Sequence, residues 1–133
     1  QFRYTVGSGK NQHTVHVGVA LLHLERAFPE FLIGPENFLH RIAGAFGYED
    51  VDFESVAFSN AFNVRCRDKK FAYDFCNSRM IEFLLEHRDA CLEQEAGVMA
   101  VMREGSLSAE HLDGMFEFLA SVRERMPDYL FRD

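Results

Sequence analysis

The N-terminal part of the chain alternates between apolar and polar positions. In residues 1–6, Phe2, Tyr4 and Val6 lie on one face, and positions 15, 17, 19 and 21 are all Val or Leu. A period of two with β-branched residues predicts two strands. The intervening Gly-Ser-Gly-Lys-Asn segment is typical of a turn. We therefore expect a long β-hairpin here.

The middle of the chain mixes strand and helix signals. It predicts a short extended piece at 28–35, a helix at 36–46, a strand at 59–67, and two helices capped by Asp68 and by Asn77 or Ser78. The helices are predicted because apolar residues recur there at helical spacing. Asp and Asn are preferred N-cap residues, because their side-chain oxygens accept hydrogen bonds from the free N–H groups of the first turn.

The C-terminal part predicts a second hairpin followed by a helix. Extended runs at 91–95 and 98–103 flank Ala96-Gly97, which is a hairpin signal. A final helix is predicted to end at Pro127. Its apolar positions are Leu112, Met115, Phe116, Leu119 and Met126.

Strands that come mostly in hairpins favour an antiparallel sheet. We therefore predict an α+β fold, with a hairpin-rich antiparallel sheet of about five strands and three or four helices packed on one face. Residues 1–133 are predicted to form a single domain. The chain begins with Gln1 rather than Met and enters strand-like sequence at once, so we expect a fragment of a longer protein.

Several local patterns resemble an uncharacterised bacterial domain family of unknown function. The patterns are Phe28-Pro29-x-Phe31-x-Ile33-x-Pro35-Glu36, Val51-Asp52-Phe53-Glu54-Ser55-x-x-Phe58, Phe62-Asn63-Val64, Met80-Ile81-Glu82-Phe83-Leu84 and the Gly-centred hairpin after them. In related proteins the domain follows one or two transmembrane helices. The resemblance implies a cytosolic module of a membrane-tethered parent, and it supplies no catalytic residues.

Composition narrows the classes of partner. The net charge of −7 disfavours nucleic acid, whose phosphates attract Lys and Arg. No stretch reaches the length of a membrane span, so we expect no membrane insertion by this segment. Three cysteines at irregular spacing predict free thiols in a reducing, cytoplasmic compartment.

No catalytic, cofactor-binding or metal-binding motif stands out. Cys66 and Cys76 are too far apart for the usual tight zinc pairs. Gly7-Ser-Gly-Lys10 lacks the spacing of a phosphate loop and leads into a strand. We therefore assign no catalytic residue, cofactor or metal, and an enzyme is the less favoured interpretation.

Two hypotheses of function remain, with a small enzyme as a weaker third. The first is a non-catalytic interaction or sensing module that binds a protein partner or a second copy through aromatic residues near the C-terminus. Its candidate interface residues are Phe118, Tyr129, Leu130 and Phe131. The alternative is a small apolar ligand in a cavity between the long hairpin and the helices, where Gly18 and Ala20 leave room.

Overall fold

The computed structural model describes residues 2–8, 13–35, 49–104 and 109–132. A single antiparallel sheet of seven strands runs through them in the order β1-β2-β7-β6-β3-β5-β4. The strands are β1 (Phe2–Ser8), β2 (His13–His23), β3 (Phe31–Gly34), β4 (Glu49–Asp50), β5 (Asn63–Cys66), β6 (Cys91–Glu95) and β7 (Val98–Glu104).

The sheet is built from local pairs joined by one hairpin. β1 pairs with β2, and β3 pairs with β5, so each pair joins strands in the same half of the chain. The β6–β7 hairpin lies between the two pairs, because β7 hydrogen-bonds to β2 and β6 to β3. The predicted α+β class and antiparallel sheet are confirmed. The five predicted strands are present. The extended piece predicted at 28–35 contains β3, which lies between β6 and β5, and the unpredicted short strand β4 forms the edge beside β5.

In the part of the chain that the structure describes, four helices accompany the sheet: α1 (Val56–Ala61), α2 (Lys69–Phe75), α3 (Ser78–Leu85) and α4 (Ala109–Arg125), with a short 3-10 helix at Asp128–Phe131. The predicted N-caps of α2 and α3 are confirmed. The Asp68 carboxylate accepts from the Lys70 amide at 2.9 Å, and the Asn77 side chain accepts from the Met80 amide at 3.0 Å. The helix predicted at 36–46 lies outside the described residues.

The strand predicted at 59–67 is shorter than expected. Helix α1 occupies its first residues, because the Ser55 hydroxyl accepts from the Phe58 amide at 3.2 Å and starts a helical turn. Only Asn63–Cys66 pairs in the sheet. Phe58 is thereby fully buried on α1.

The main core lies between the described helices and one face of the sheet. Residues opposite each other in neighbouring strands share a face, so the registers Phe31↔Gln94, Leu92↔Val101 and Ala20↔Val101 define that face across four strands. Most of its residues join one apolar cluster with buried side chains of all four helices. The described helices therefore cover the same side of the sheet, as predicted.

The opposite face is also buried at its centre. Leu32 and Cys91 are inaccessible to solvent, and Ala100 and Val19 are almost so. All four residues of β3 are buried. The central strands are therefore shielded from water on both sides.

The apolar face of α4 differs from the predicted one. Phe116 is 37% exposed, whereas Phe118 is 8% exposed and belongs to the core. At 100° per residue, Phe116 lies about 100° around the helix from Met115, outside the buried arc, whereas Phe118 lies about 60° away on the other side. Val122 completes the buried stripe.

Candidate functional site

A cavity of about 520 Å³ lies beside the N-terminal half of α4. Its walls come from α4, from β7 and from the loop that joins α3 to β6. The lining residues fall between positions 87 and 118, but they belong to a loop, a strand and a helix. The cavity therefore depends on the tertiary fold rather than on a local motif.

The cavity wall combines apolar and polar residues. Its apolar residues are Ala90, Val101, Met102, Met115 and Phe118. Its polar residues are His87, Asp89, Glu110 and His111. Val101 and Met115 are almost fully buried, whereas Asp89 and Glu110 are exposed. The site is therefore an apolar recess with charged side chains around it.

His87 is the polar residue with the most defined geometry in this site. Its ring lies against Phe83 at a tilt of 39°, with centroids 4.5 Å apart, and contacts Phe118 edge-on at 5.3 Å. Its Nδ1 atom lies 3.0 Å from the carbonyl oxygen of Phe83. A carbonyl oxygen only accepts, so Nδ1 carries the hydrogen and donates it. In the neutral ring the Nε2 atom is then an acceptor.

Gly114 forms part of the wall on α4. A Cβ atom added there would meet no other atom within 4 Å. Packing therefore does not require glycine at this position. Glycine inside a helix costs about 1 kcal/mol relative to alanine. A glycine inside a predicted helix is a sequence signal that could have indicated an open space here, but Gly114 was not recognised as one from the sequence.

The cavity lies near the region where a ligand site was expected. Ala20 pairs with Val101, which lines the cavity. Ala20 itself is fully buried in the core. The cavity thus opens beside β7 rather than over Gly18 and Ala20 on β2.

Phe118 and Tyr129, two of the predicted interface residues, have very different exposures. Phe118 is in the core and stacks on Phe83 with centroids 5.3 Å apart. Tyr129 is 52% exposed, and its hydroxyl donates to the Asp74 carboxylate at 2.8 Å. Tyr129 is therefore the more accessible of the two.

Leu130 and Phe131 are half-buried against the core. The Phe131 ring lies edge-on to Phe28, with centroids 5.2 Å apart, and the Arg123 guanidinium lies 3.7 Å from its centre. The Arg26 guanidinium donates to the backbone oxygens of this C-terminal segment. An interface through these residues stays a prediction, with Tyr129 as its most exposed member.

The three cysteines do not have the properties of nucleophiles. Cys66, Cys76 and Cys91 are free and buried. Burial raises the pKa of the Cys66 and Cys76 thiols, and it raises the pKa of Cys91 to about 12. Reactive cysteines have lowered pKa values instead. The thiols therefore behave as small apolar core groups.

The described residues include neither a cluster of metal ligands nor a membrane-spanning helix. Ranges 2–8, 13–35, 49–104 and 109–132 contain no group of three or more side chains placed to hold a metal ion. Within the same ranges, no helix is both long and apolar enough to cross a bilayer.

No protein-family model, curated protein or solved structure matches this chain. The resemblance to an uncharacterised bacterial family therefore stays a prediction.

Proposed function

We propose that this domain is a non-catalytic sensing module that binds a small molecule with an apolar body in the cavity beside α4. The observation that supports this most directly is the cavity itself. Its volume of about 520 Å³ exceeds the roughly 300 Å³ at which ligand pockets begin. Apolar side chains in the recess would favour an apolar body, and the polar groups around it would orient one end of the ligand.

Gly114 supports the same proposal independently. Alanine at this position would strengthen α4 and would contact nothing, yet the chain carries glycine. A ligand in contact with the helix backbone would account for glycine here, since any side chain would occupy part of its volume. A ligand bound beside Gly114 would therefore explain both the open space and the glycine.

The properties of the titratable groups support binding rather than catalysis. Burial makes the three thiols poor nucleophiles. Catalytic sites commonly combine a cleft with groups whose pKa values are shifted towards reactivity. In the described residues the thiol shifts go the other way.

The test is a titration of the protein with n-octanol, followed by NMR, in parallel with native mass spectrometry of the protein as purified. We expect shift changes confined to Val101, Met115 and Phe118. Gly114→Leu should abolish them by filling the recess, whereas Gly114→Ala should weaken them only in part, because its methyl group takes up less of the ligand's volume. Absence of binding by the wild type and no co-purified mass that is lost on denaturation would refute the function.

Protein interaction through the C-terminal face is the second candidate. Tyr129 and Tyr73 are each about half exposed, and they are the largest exposed aromatic side chains near this end. Tyrosine is enriched in interfaces, because it combines an apolar ring with a polar hydroxyl. A dimer mass that Tyr129→Ser converts to monomer would support this candidate, and a monomer at all concentrations would refute self-association.

The parent of this domain is proposed to be a bacterial protein tethered to the membrane, with this domain in the cytoplasm. The support is the resemblance described above together with free, buried thiols, which suit a reducing compartment. The acidic net charge also supports a partner other than nucleic acid. Fractionation of cells that express the full-length protein would test the location.

A further inference from the structure

The described polar side chains around the cavity can be sorted by what they offer to a ligand. The Nδ1 hydrogen of His87 is already donated to the Phe83 carbonyl. The Nε2 atom of the neutral ring is then left as an acceptor. Contacts with the Phe83 and Phe118 rings hold the imidazole in this orientation. His87 therefore offers a fixed acceptor rather than a donor.

The two acidic residues of the cavity also offer only acceptors. Asp89 lies in the α3–β6 loop and Glu110 in the first turn of α4. Ionised carboxylates accept hydrogen bonds and cannot donate them. No Lys or Arg is among the described residues of the wall. The described wall therefore places two carboxylates at the cavity of a chain whose net charge is −7.

We infer that the ligand of this cavity is an alkylamine, with a protonated amino group at the polar end and an apolar chain in the recess. This inference rests on the ligand-binding function proposed above. A protonated amine supplies three donors and a positive charge, which complement the two carboxylates and the Nε2 acceptor of His87. A hydroxyl would satisfy fewer acceptors and leave both carboxylates unneutralised.

The shape of the recess suits a chain rather than a compact ion. His111, Gly114, Met115 and Phe118 line it along one side of α4. At 1.5 Å per residue, the span from His111 to Phe118 is roughly 10 Å along the helix axis. Val101 of β7 lies across from this stripe. An apolar chain of several carbons can lie along the helix with its amino group near the carboxylates.

An anionic ligand is the principal competitor, because the N-terminus of α4 would favour negative charge. That first turn already carries Glu110, whose carboxylate opposes a second anion. Repulsion by Glu110 therefore opposes the attraction of the helix N-terminus for an anion. We expect the amine to bind most tightly, the alcohol less tightly and the carboxylate least tightly.

The experiment compares n-octylamine, n-octanol and n-octanoate by isothermal titration calorimetry on the intact chain. Mildly alkaline buffer keeps an alkylamine protonated. We expect n-octylamine to bind roughly tenfold more tightly than n-octanol, the gain of about one charge-assisted hydrogen bond. Equal affinities, or tightest binding of n-octanoate, would overturn the inference.

Variants locate the charge effect in the cavity. Asp89→Asn and Glu110→Gln should each weaken n-octylamine binding by roughly threefold to tenfold and leave n-octanol unchanged. Glu82→Gln is the matched control, because it removes the same charge from an exposed position on α3. An equal loss in Glu82→Gln would mean general attraction to an acidic protein and would refute the site.

A pair of His87 variants tests the proposed acceptor. His87→Gln can place an amide oxygen near the position of Nε2, whereas His87→Asn retains only a group near Nδ1. We expect the Gln variant to keep more of the preference for amine over alcohol. Binding of n-octanol alone, abolished by Gly114→Leu, would retain the binding function while rejecting the amine. Failure of all three ligands would reject both.

Discussion

The Nδ1 atom of His87 lies 3.0 Å from the carbonyl oxygen of Phe83, and the centroids of the two rings are 4.5 Å apart. The imidazole thus donates a second hydrogen bond to a carbonyl that also accepts from the Glu86 amide, and it contacts Phe118 of α4. It links the last turn of α3 to the middle of α4 at the cavity.

We expect His87→Ala to lower the free energy of unfolding by about 1–2 kcal/mol. The loss combines one hydrogen bond and one aromatic contact. Urea denaturation followed by circular dichroism would measure it. Arg88→Ala is the control, since Arg88 is exposed and a surface substitution is usually within about 0.5 kcal/mol of neutral. Equal effects of the two variants would contradict a stabilising role for the imidazole.

Glu93 makes stability depend on pH. Burial raises the pKa of this carboxyl above its ordinary value, and Glu95 and Glu30 raise it further. The folded state therefore binds the proton more tightly than the unfolded state, so the stabilising contribution is present in acid and is lost as pH rises through the raised pKa. We expect Glu93→Gln to raise the urea midpoint at neutral pH and to change it little in acid.

The control for that prediction is Glu82→Gln, which removes a charge from an exposed helix position. It should leave the dependence of the midpoint on pH unchanged. If Glu93→Gln gave the same midpoint shift at neutral and acidic pH, the raised pKa of Glu93 would not be the source of the effect.

Ala96 adopts a left-handed backbone conformation, with φ of 56°, in the turn of the β6–β7 hairpin. This conformation costs an alanine about 1–2 kcal/mol, whereas glycine adopts it without steric cost. Part of the gain is offset by the larger entropy of glycine in the unfolded chain. We expect Ala96→Gly to stabilise the domain by roughly 0.5–1 kcal/mol in thermal unfolding.

Glu95→Gly provides the contrast one residue earlier, since Glu95 is the last residue of strand β6. Glycine there should destabilise by about 0.5–1 kcal/mol. Stabilisation at both positions, or at neither, would show that the conformation of Ala96 is not strained.

The buried thiols should react only through unfolding. Cys66, Cys76 and Cys91 are buried, and burial raises the pKa of each. We expect slow labelling by an aromatic disulfide reagent under native conditions and rapid labelling of three thiols in denaturant. Stabilising substitutions such as Ala96→Gly should slow native labelling in proportion. A thiol that reacts rapidly in the native protein would contradict the placement of these residues.

Local signals in the sequence predicted most of the strands and the starts of α2 and α3. The caps at Asp68 and Asn77 and the hairpin around Ala96 depend on residues within one turn, so a pattern can show them. Phe118 was predicted to be an interface residue rather than a core residue, because the apolar residues of this helix can be grouped into two different faces. Only contact with Phe83 decides which face is buried.

The candidate site was beyond reach of such patterns. His87, Val101 and Gly114 come from a loop, a strand and a helix, and only packing brings them to one cavity. The exposure of the predicted interface residues was difficult to predict from the sequence for a similar reason. The C-terminal aromatics appear surplus in sequence, yet Phe131 finds partners in Phe28 and Arg123 from other segments.

The position of the β6–β7 hairpin between β2 and β3 sets an order of events on the ribosome. β2 can pair with β1 as soon as both have been synthesised, but its other edge must wait for β7. At about 5–20 residues per second, that wait is on the order of several seconds. β3 waits for β6 in the same way. In the nascent chain, one edge of β2 and one edge of β3 thus stay unpaired until the β6–β7 hairpin forms. Slower formation of this hairpin would lower the yield of folded protein without lowering the stability of the folded state.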